Sequence, residues 1–411
     1  MISFEPTEEQ RLIRDTVADL LATKARPRVR AIEAARAIPD DLAQALAELG
    51  VGQMSIPAAC GGPGLDARTR ALVDEALGFA DASVALAAPG PGALAAALVT
   101  LGDAAQQSRI LAPFVADPMR VGAVAWSESK LVADRPGFAT TARRDGDAWI
   151  LDGEKSYVLH AGRAATYVVF AQVEASAGWD GVGAFVVESG AAGLAFGNRA
   201  STVGLDAVTF GSVKLGGVRV DDRDRLASAE VASIRRFFAL RSLSLAGIAV
   251  GLARSAWEES QRFAESRVAF GKPIGHFQAI AFLLVDRLMD VEGARGLLWR
   301  AAWLHDAIAS GGPSSIPEKD REATLLAWSA QATSEALEAA MRCAADAVQI
   351  HGGAGFVRDY VVEKLMRDAK QLQLCAPTTA TGDLASATAL AGLTVDPALV
   401  LPTPDVQPIF T

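Results

Sequence analysis

Helical pattern, then strand pattern, then helical pattern again: the sequence predicts an α+β chain built as three consecutive segments. Three observations carry this. The two ends of the chain are rich in alanine and run for long stretches without proline, which favours helix. The middle, about 121–222, consists of short β-branched and apolar runs separated by Gly- and Asp-containing turns. The length, 411 residues with 51% hydrophobic and 21% charged, is that of a folded protein with room for several packed layers. The expected segments are an N-terminal helical domain (1–120), a middle antiparallel β barrel or sandwich (121–228), and a C-terminal four-helix bundle (229–411).

In the first segment Thr7 can cap a helix whose opening turn holds Glu8, Glu9 and Gln10 and whose apolar stripe is Leu12, Ile13, Val17, Leu20 and Leu21. A second helix spans about Pro39 to Leu49 and stops at Gly50. Pro57 to Gly64 is rich in turn formers, and helices follow at about 66–79, 83–101 and 103–113. The run Ala82 to Gly102 carries no charge. A membrane-spanning helix needs about 20 strongly apolar residues. Pro89-Gly90-Pro91-Gly92 interrupts the run, so two buried helices joined by a turn are expected and no span.

The middle segment opens with the apolar run Val121 to Trp126. Ala148–Leu151 and Lys155–Leu159 flank Asp152-Gly153, read as a hairpin turn. Tyr167–Phe170, Gly183–Val187, Val213–Leu215 and Val218–Val220 are further strands. From Glu230 the helical pattern returns. A long helix at about 230–266 offers Ala246, Gly247, Ala249, Gly251 and Ala253 for close packing. Helices are also expected at about 276–310, 319–350, 358–373 and 381–392, with Pro313 and Pro317 marking a loop. No internal repeat is visible.

Composition narrows the function. Net charge is −9 and no Lys/Arg cluster stands out, which argues against nucleic acid as a partner. Cys60, Cys343 and Cys375 are far apart and odd in number, so no disulfide framework is expected and a reducing cytoplasm fits. The histidines His160, His276, His305 and His351 lack metal-ligand spacing. Met1 to Pro6 lacks the pattern of a signal peptide.

Several local motifs carry a resemblance. Ala347-Val348-Gln349-Ile350-His351-Gly352-Gly353-Ala354-Gly355-Phe356 followed by Arg367-Asp368-Ala369-Lys370, the stretch Arg267-Val268-Ala269-Phe270-Gly271-Lys272-Pro273-Ile274 with Phe277-Gln278-Ala279-Ile280, the run Glu48-Leu49-Gly50-Val51 with Pro57 and Gly61-Gly62, and Asp152 to Val158 together resemble the acyl-CoA dehydrogenase family over nearly the whole chain. The resemblance implies that family's three-domain fold and α,β-dehydrogenation of an acyl-CoA thioester. It also implies FAD held at a dimer interface, with electrons passed to an electron-transfer flavoprotein or a similar acceptor. In the family one subunit cradles the flavin ring and the other reaches to the pyrophosphate and adenosine. By resemblance Arg267, Phe270, Gln278, Gln349, Gly352 and Gly353 belong to the reaching set, and an Arg fork, amides and paired glycines suit phosphate and neutral acceptors. Trp126, Ser127, Tyr157 and Val158 correspond to the ring side.

The ring side departs from the family pattern. Ser127-Glu128-Ser129-Lys130-Leu131-Val132-Ala133-Asp134 stands where the family has Thr-Glu-Pro-x-x-Gly-Ser-Asp. Leu159 replaces the threonine that hydrogen-bonds the flavin. The family's base, a glutamate that removes the thioester α-proton, is replaced by Ala376, and the alternative base position before Arg241 holds Leu240. Proton abstraction needs a placed group of near-neutral pKa, and neither residue supplies one. Three readings follow. The chain is the base-less subunit of a heteromeric dehydrogenase, a dimer of dimers like those of steroid side-chain breakdown; or it is an active homo-oligomer with Glu128, Asp134 or Asp383 as an unorthodox base; or it binds acyl thioesters without catalysis. The intact tail side and eroded ring side rank the first ahead of the second, and the third last.

Overall fold

The computed structural model describes residues 5–129, 138–174, 177, 180–311 and 315–376. The helix expected at 381–392, with Asp383, lies outside the described residues, as does Asp134.

The N-terminal segment is helical as expected. In α1 (Glu8–Lys24) the Gln10 amide donates to Thr7 Oγ1 at 3.2 Å and Gln10 Oε1 accepts from the Thr7 amide at 3.0 Å, a reciprocal cap. A short α2 (Val29–Ala35) was not anticipated; Pro27 opens the turn before it and Arg36, at φ 53°, ends it. Then come α3 (Asp40–Glu48), α4 (Ala67–Ala87), α5 (Ala93–Leu101) and α6 (Ala104–Ala116). Of the two expectations for this stretch, one helix over 83–101 or two helices joined by a turn within Ala82 to Gly102, the second holds. Asp81 leaves helical geometry and its carboxylate caps the next turn through the amides of Ser83 and Val84, so α4 continues to Ala87. Pro89 to Gly92 then makes the turn into α5.

The middle segment is one seven-stranded sheet in the order β1-β4-β2-β3-β7-β6, with β5 also on β4. The strands are β1 (Gly122–Ala125), β2 (Thr141–Asp145), β3 (Ala148–Leu159), β4 (Thr166–Gln172), β5 (Val182–Glu188), β6 (Leu194–Phe196) and β7 (Phe210–Asp221). Most pairs are antiparallel, but β1 runs parallel to β4, a pairing the antiparallel expectation lacked. The Asp152-Gly153 hairpin is corrected. The turn lies earlier in the chain, at Gly146-Asp147, with Asp145 paired to Ala148. Asp152-Gly153 lies inside the continuous strand β3, at a bulge opposite Gly216-Gly217, which likewise joins the two strands expected at 213–215 and 218–220 into β7. The Gly217 amide donates to Asp152 Oδ1 at 2.7 Å. A Cβ on Gly153 would stand 2.6 Å from the Thr140 Cα, which explains the glycine without a turn.

The C-terminal segment holds α7 (Val231–Ser266), α8 (Gln278–Ala309), α9 (Glu318–His351) and α10 (Val362–Gln373). A two-stranded hairpin, β8 (Val268–Ala269) and β9 (Lys272–Pro273), projects between α7 and α8. The small residues of α7 let it pack closely, and its partner is α4. A Cβ at Gly251 would stand 2.1 Å from the Glu75 carbonyl oxygen, and one at Gly78 2.0 Å from that of Ile248. By length and composition α7 is apolar enough to cross a membrane, but 78% of its most apolar window is buried in the protein, as in a core helix.

The three segments meet at one buried charge. Lys364 Nζ on α10 lies 2.7 Å from Asp81 Oδ2 at the α4 break and 2.6 Å from Asp368 Oδ2. Asp368 Oδ1 accepts the Leu205 amide of the middle segment at 2.6 Å, and Ser83 Oγ accepts that of Ala207 at 2.8 Å. Burial alone would lower the Lys364 ammonium, but the two carboxylates hold it well above its ordinary value. Lys364→Met leaves both carboxylates buried and unpaired, so denaturant unfolding should show a loss of about 3–5 kcal/mol. Replacing Asp81 and Asp368 by Asn in the same chain should recover part of it.

Candidate functional site

The tail-side set gathers on one outer face of the C-terminal segment. Arg267 ends α7 with an exposed side chain that has no ion pair among the described residues. Phe270 and Gly271 form the two-residue tip of the β8–β9 hairpin, both with positive φ (51° and 83°), and the Phe270 ring is 96% exposed. Gln278 is the first residue of α8, and Gln349 lies in the last turn of α9; both are exposed. Gly352 (φ 56°) and Gly353 follow, with open space where a Cβ would be. The His351 ring packs beneath this turn, stacked on Phe263 at 4.1 Å. These groups fit the tail of a dinucleotide, with a free guanidinium, two amides and an unobstructed glycine turn. Beside them Phe282, Val285 and Met289 present an exposed apolar stripe on α8.

The ring-side residues stand elsewhere, on the middle sheet. Trp126 is half-buried against the core, edge-on to Phe138 (4.6 Å), Phe170 (4.8 Å) and Phe238 (4.2 Å). The Ser127 carbonyl accepts the Ser156 amide at 2.8 Å, which ties the loop after β1 to β3. Between Lys155 and Val158 the β3–β7 register shifts; Tyr157 sits there at φ 52°, 61% exposed, while Val158 is buried. Tyr157 is therefore presented outward rather than into the core. Leu159 supplies hydrocarbon where a hydroxyl donor is expected.

Glu128 is committed to structure. Its carboxylate accepts Lys155 Nζ at 2.7 Å and the amides of Ala139 and Thr140 at 2.8 and 3.0 Å. Burial would raise its pKa, but the Lys155 charge and these hydrogen bonds hold it below the usual carboxylate range. Lys155 is itself fully buried against Phe138, and burial pushes it down to about 8 against the pull of Glu128. A carboxylate held this way is a poor proton acceptor.

Leu240 is buried on α7, and Ala376 is half-buried against the core, so neither expected base position holds a titratable group. Leu240 borders a cavity of about 180 Å³ between α4, α5, α7 and β1, also lined by Leu159, His160, Arg241, Ser244, Arg70 and Asp74. Withdrawal from water, with Arg163 nearby, pushes the His160 imidazole down to about 4, so it is neutral. Asp74 is buried, and burial pushes its carboxyl up to about 7, against a hydrogen bond from Ser244 and the charge of Arg70. Asp74 was not among the residues singled out from sequence. The signal was present: Arg70 and Asp74 interrupt the buried stripe Ala67, Ala71, Leu77 on one helix face.

Comparisons with known proteins agree with this geometry. Family models described as the acyl-CoA dehydrogenase N-terminal, middle and C-terminal domains match residues 7–117, 123–218 and 231–380. A cyclohex-1-ene-1-carbonyl-CoA dehydrogenase of Geobacter metallireducens is 31% identical over 377 residues, covering 90% of this chain and 95% of that protein. The butyryl-CoA dehydrogenase structure from Megasphaera elsdenii superimposes with a TM-score of 0.85 at 28% identity, covering 95% of this chain and 100% of the other. The FAD complex of PigA shares the fold, with a TM-score of 0.85 at 21% identity over 95% and 99% of the two chains.

The Asp74 carboxyl carries a pH signature. Its folded pKa lies above its unfolded value, so its contribution to stability is complete below about pH 4 and is lost as pH rises through about 7. Asp74→Asn should flatten this part of the profile. Thermal unfolding at pH 5 and 8 is expected to show a smaller drop for the variant, by on the order of a few kcal/mol.

Proposed function

This chain belongs to the acyl-CoA dehydrogenase family, oxidoreductases acting on the CH–CH bond of acyl-CoA thioesters, and we propose that it serves as the base-less subunit of a heteromeric member. The observation that carries this reading is an asymmetry within one chain. The tail-side groups are complete, polar and turned outward, while both base positions are apolar and the ring-side hydroxyl is a leucine. A chain that turned over substrate alone would need the missing half. One that completes a homologous partner's site needs only the half that is present.

The cofactor in this reading is FAD, the group that accepts hydride from the substrate β-carbon when bound. Arg267 pairs with its pyrophosphate, Gln278 and Gln349 meet neutral acceptors, Gly352 and Gly353 allow close backbone approach, and Phe270 packs against the nucleotide. Trp126, Ser127, Tyr157 and Val158 form a ring-side surface that lacks the polar anchor. The exposed stripe Phe282, Val285 and Met289 beside the tail set supports a homologous subunit docking there, and two such pairs make a dimer of dimers. A cytoplasmic site, with an electron-transfer flavoprotein or similar acceptor, completes the proposal. A fused-ring steroid acyl group exceeds the 180 Å³ cavity of this chain, so in this reading the partner houses a substrate of that size.

Co-purification with the partner should give about one FAD per two chains, and one FAD per chain would overturn the assignment. Arg267→Ala removes a charge-assisted contact worth about 1.5–3 kcal/mol. FAD in the complex should therefore dissociate at about tenfold or more higher protein concentration than in the wild type, read by flavin fluorescence on dilution. Ala376→Glu alone should give no dye-linked turnover, because Leu159 remains; measurable turnover would show a ring side better formed than proposed here.

A further inference from the structure

We propose that the cavity between α4, α5, α7 and β1 receives a short acyl group carrying a hydroxyl, which Arg70 and Asp74 take up between them. The inference rests on the family reading, in which a thioester enters this chain, and not on which subunit holds the flavin ring.

The cavity walls are mostly hydrocarbon: Leu77, Leu86, Leu159, Leu240, Leu245 and Ile248. Such walls select a lipid-like chain, and at about 180 Å³ the space is little larger than the cavities of about 150 Å³ that hold a benzene-sized guest. The acyl group is therefore short. Into this apolar space project a guanidinium and a carboxyl one helical turn apart on α4, positions whose side chains are neighbours. Arg70 Nη1 donates to Ser55 Oγ at 2.9 Å, but its buried Nε has no partner among the described residues. Asp74 is hydrogen-bonded by Ser244 and forms no ion pair with Arg70 within 4 Å among the described residues.

An orphaned buried donor is costly to leave unmatched, so a ligand supplying an acceptor there gains selectivity over one that does not. A hydroxyl is the small group that accepts from one neighbour and donates to another, and it satisfies Arg70 Nε and the Asp74 carboxylate together. A second carboxylate suits the place less well. Arg70 already feels Asp66, Asp74 and Asp306, so an added negative charge would meet an acidic surrounding. An ammonium would face the Arg70 charge. A methyl group leaves Nε unsatisfied, and sites built to hydrogen-bond a hydroxyl discriminate strongly against analogues lacking it.

The test is equilibrium binding of CoA thioesters to the full chain, followed by calorimetry, with no turnover required. The probes are 4-, 5- and 6-hydroxyhexanoyl-CoA, heptanoyl-CoA and glutaryl-CoA. The best hydroxy isomer is expected to bind at least tenfold more tightly than the other two. Arg70→Met and Asp74→Leu should each reduce that preference to less than threefold, with heptanoyl-CoA affinity held or improved. The wild-type comparison stands even if a variant fails to fold. Equal or tighter binding of heptanoyl-CoA or glutaryl-CoA overturns the inference, as does a preference that survives Arg70→Met. Binding of none of the probes, alongside one FAD per two chains in the partnered complex, sinks this inference and leaves the subunit assignment standing. One FAD per chain with the hydroxyl preference intact does the reverse.

Discussion

The Lys364 ammonium, shared between Asp81 and Asp368, is the constraint on which the arrangement of the three segments depends. Isolated ions in a protein interior are costly, and a buried lysine persists only where carboxylates and hydrogen bonds surround it. Here the surrounding groups come from three parts of the chain: the broken turn of α4, the helix α10, and the backbone after β6 at Leu205. Moving any one of these segments would strand a charge. The ion cluster therefore sets relative position, while the alanine- and glycine-lined crossing of α4 on α7 supplies the burial.

Both parts of the site inherit that arrangement. The cavity lies where α4 meets α7 and the sheet closes over them, so its shape follows from the same crossing that Gly78, Gly247 and Gly251 permit. The outer face lies at the far ends of α7 and α9, with the hairpin tip Phe270-Gly271 and the turn Gly352-Gly353 standing clear of the core. A single chain thus presents an inward, mostly apolar cavity and an outward polar face, the two halves on which the proposed reading rests.

Chemistry follows from which half has kept polar groups. The ring side has spent its candidate carboxylate on structure, since Glu128 holds Lys155 and the amides of Ala139 and Thr140. The outward half has kept groups with nothing to bind within the described chain. An unpaired surface guanidinium beside open glycine backbone costs the folded chain little and becomes useful only when an anion arrives.

Periodicity and capping sufficed for most helices, because α1, α3, α6 and the long C-terminal helices are written in local rules: Thr7 with Gln10, Gly50 after α3, small residues along α7. The family resemblance was likewise legible, as were the apolar residues Ala376 and Leu240 at the positions where the resemblance implies a base, since residue identity needs no coordinates. Local rules failed where distant chain decided. Asp152-Gly153 looked like a turn, yet Thr140 and β7 press on it and make it a bulge; the gap between the helices expected at 66–79 and 83–101 was legible, but not that Asp81 fills it by receiving Lys364, 283 positions away in sequence. The pairing of β1 beside β4 and the seat of Arg70 and Asp74 in an apolar cavity belong to the same class. Burial and long-range charge pairing are properties of which segments meet, and only the packed chain specifies that.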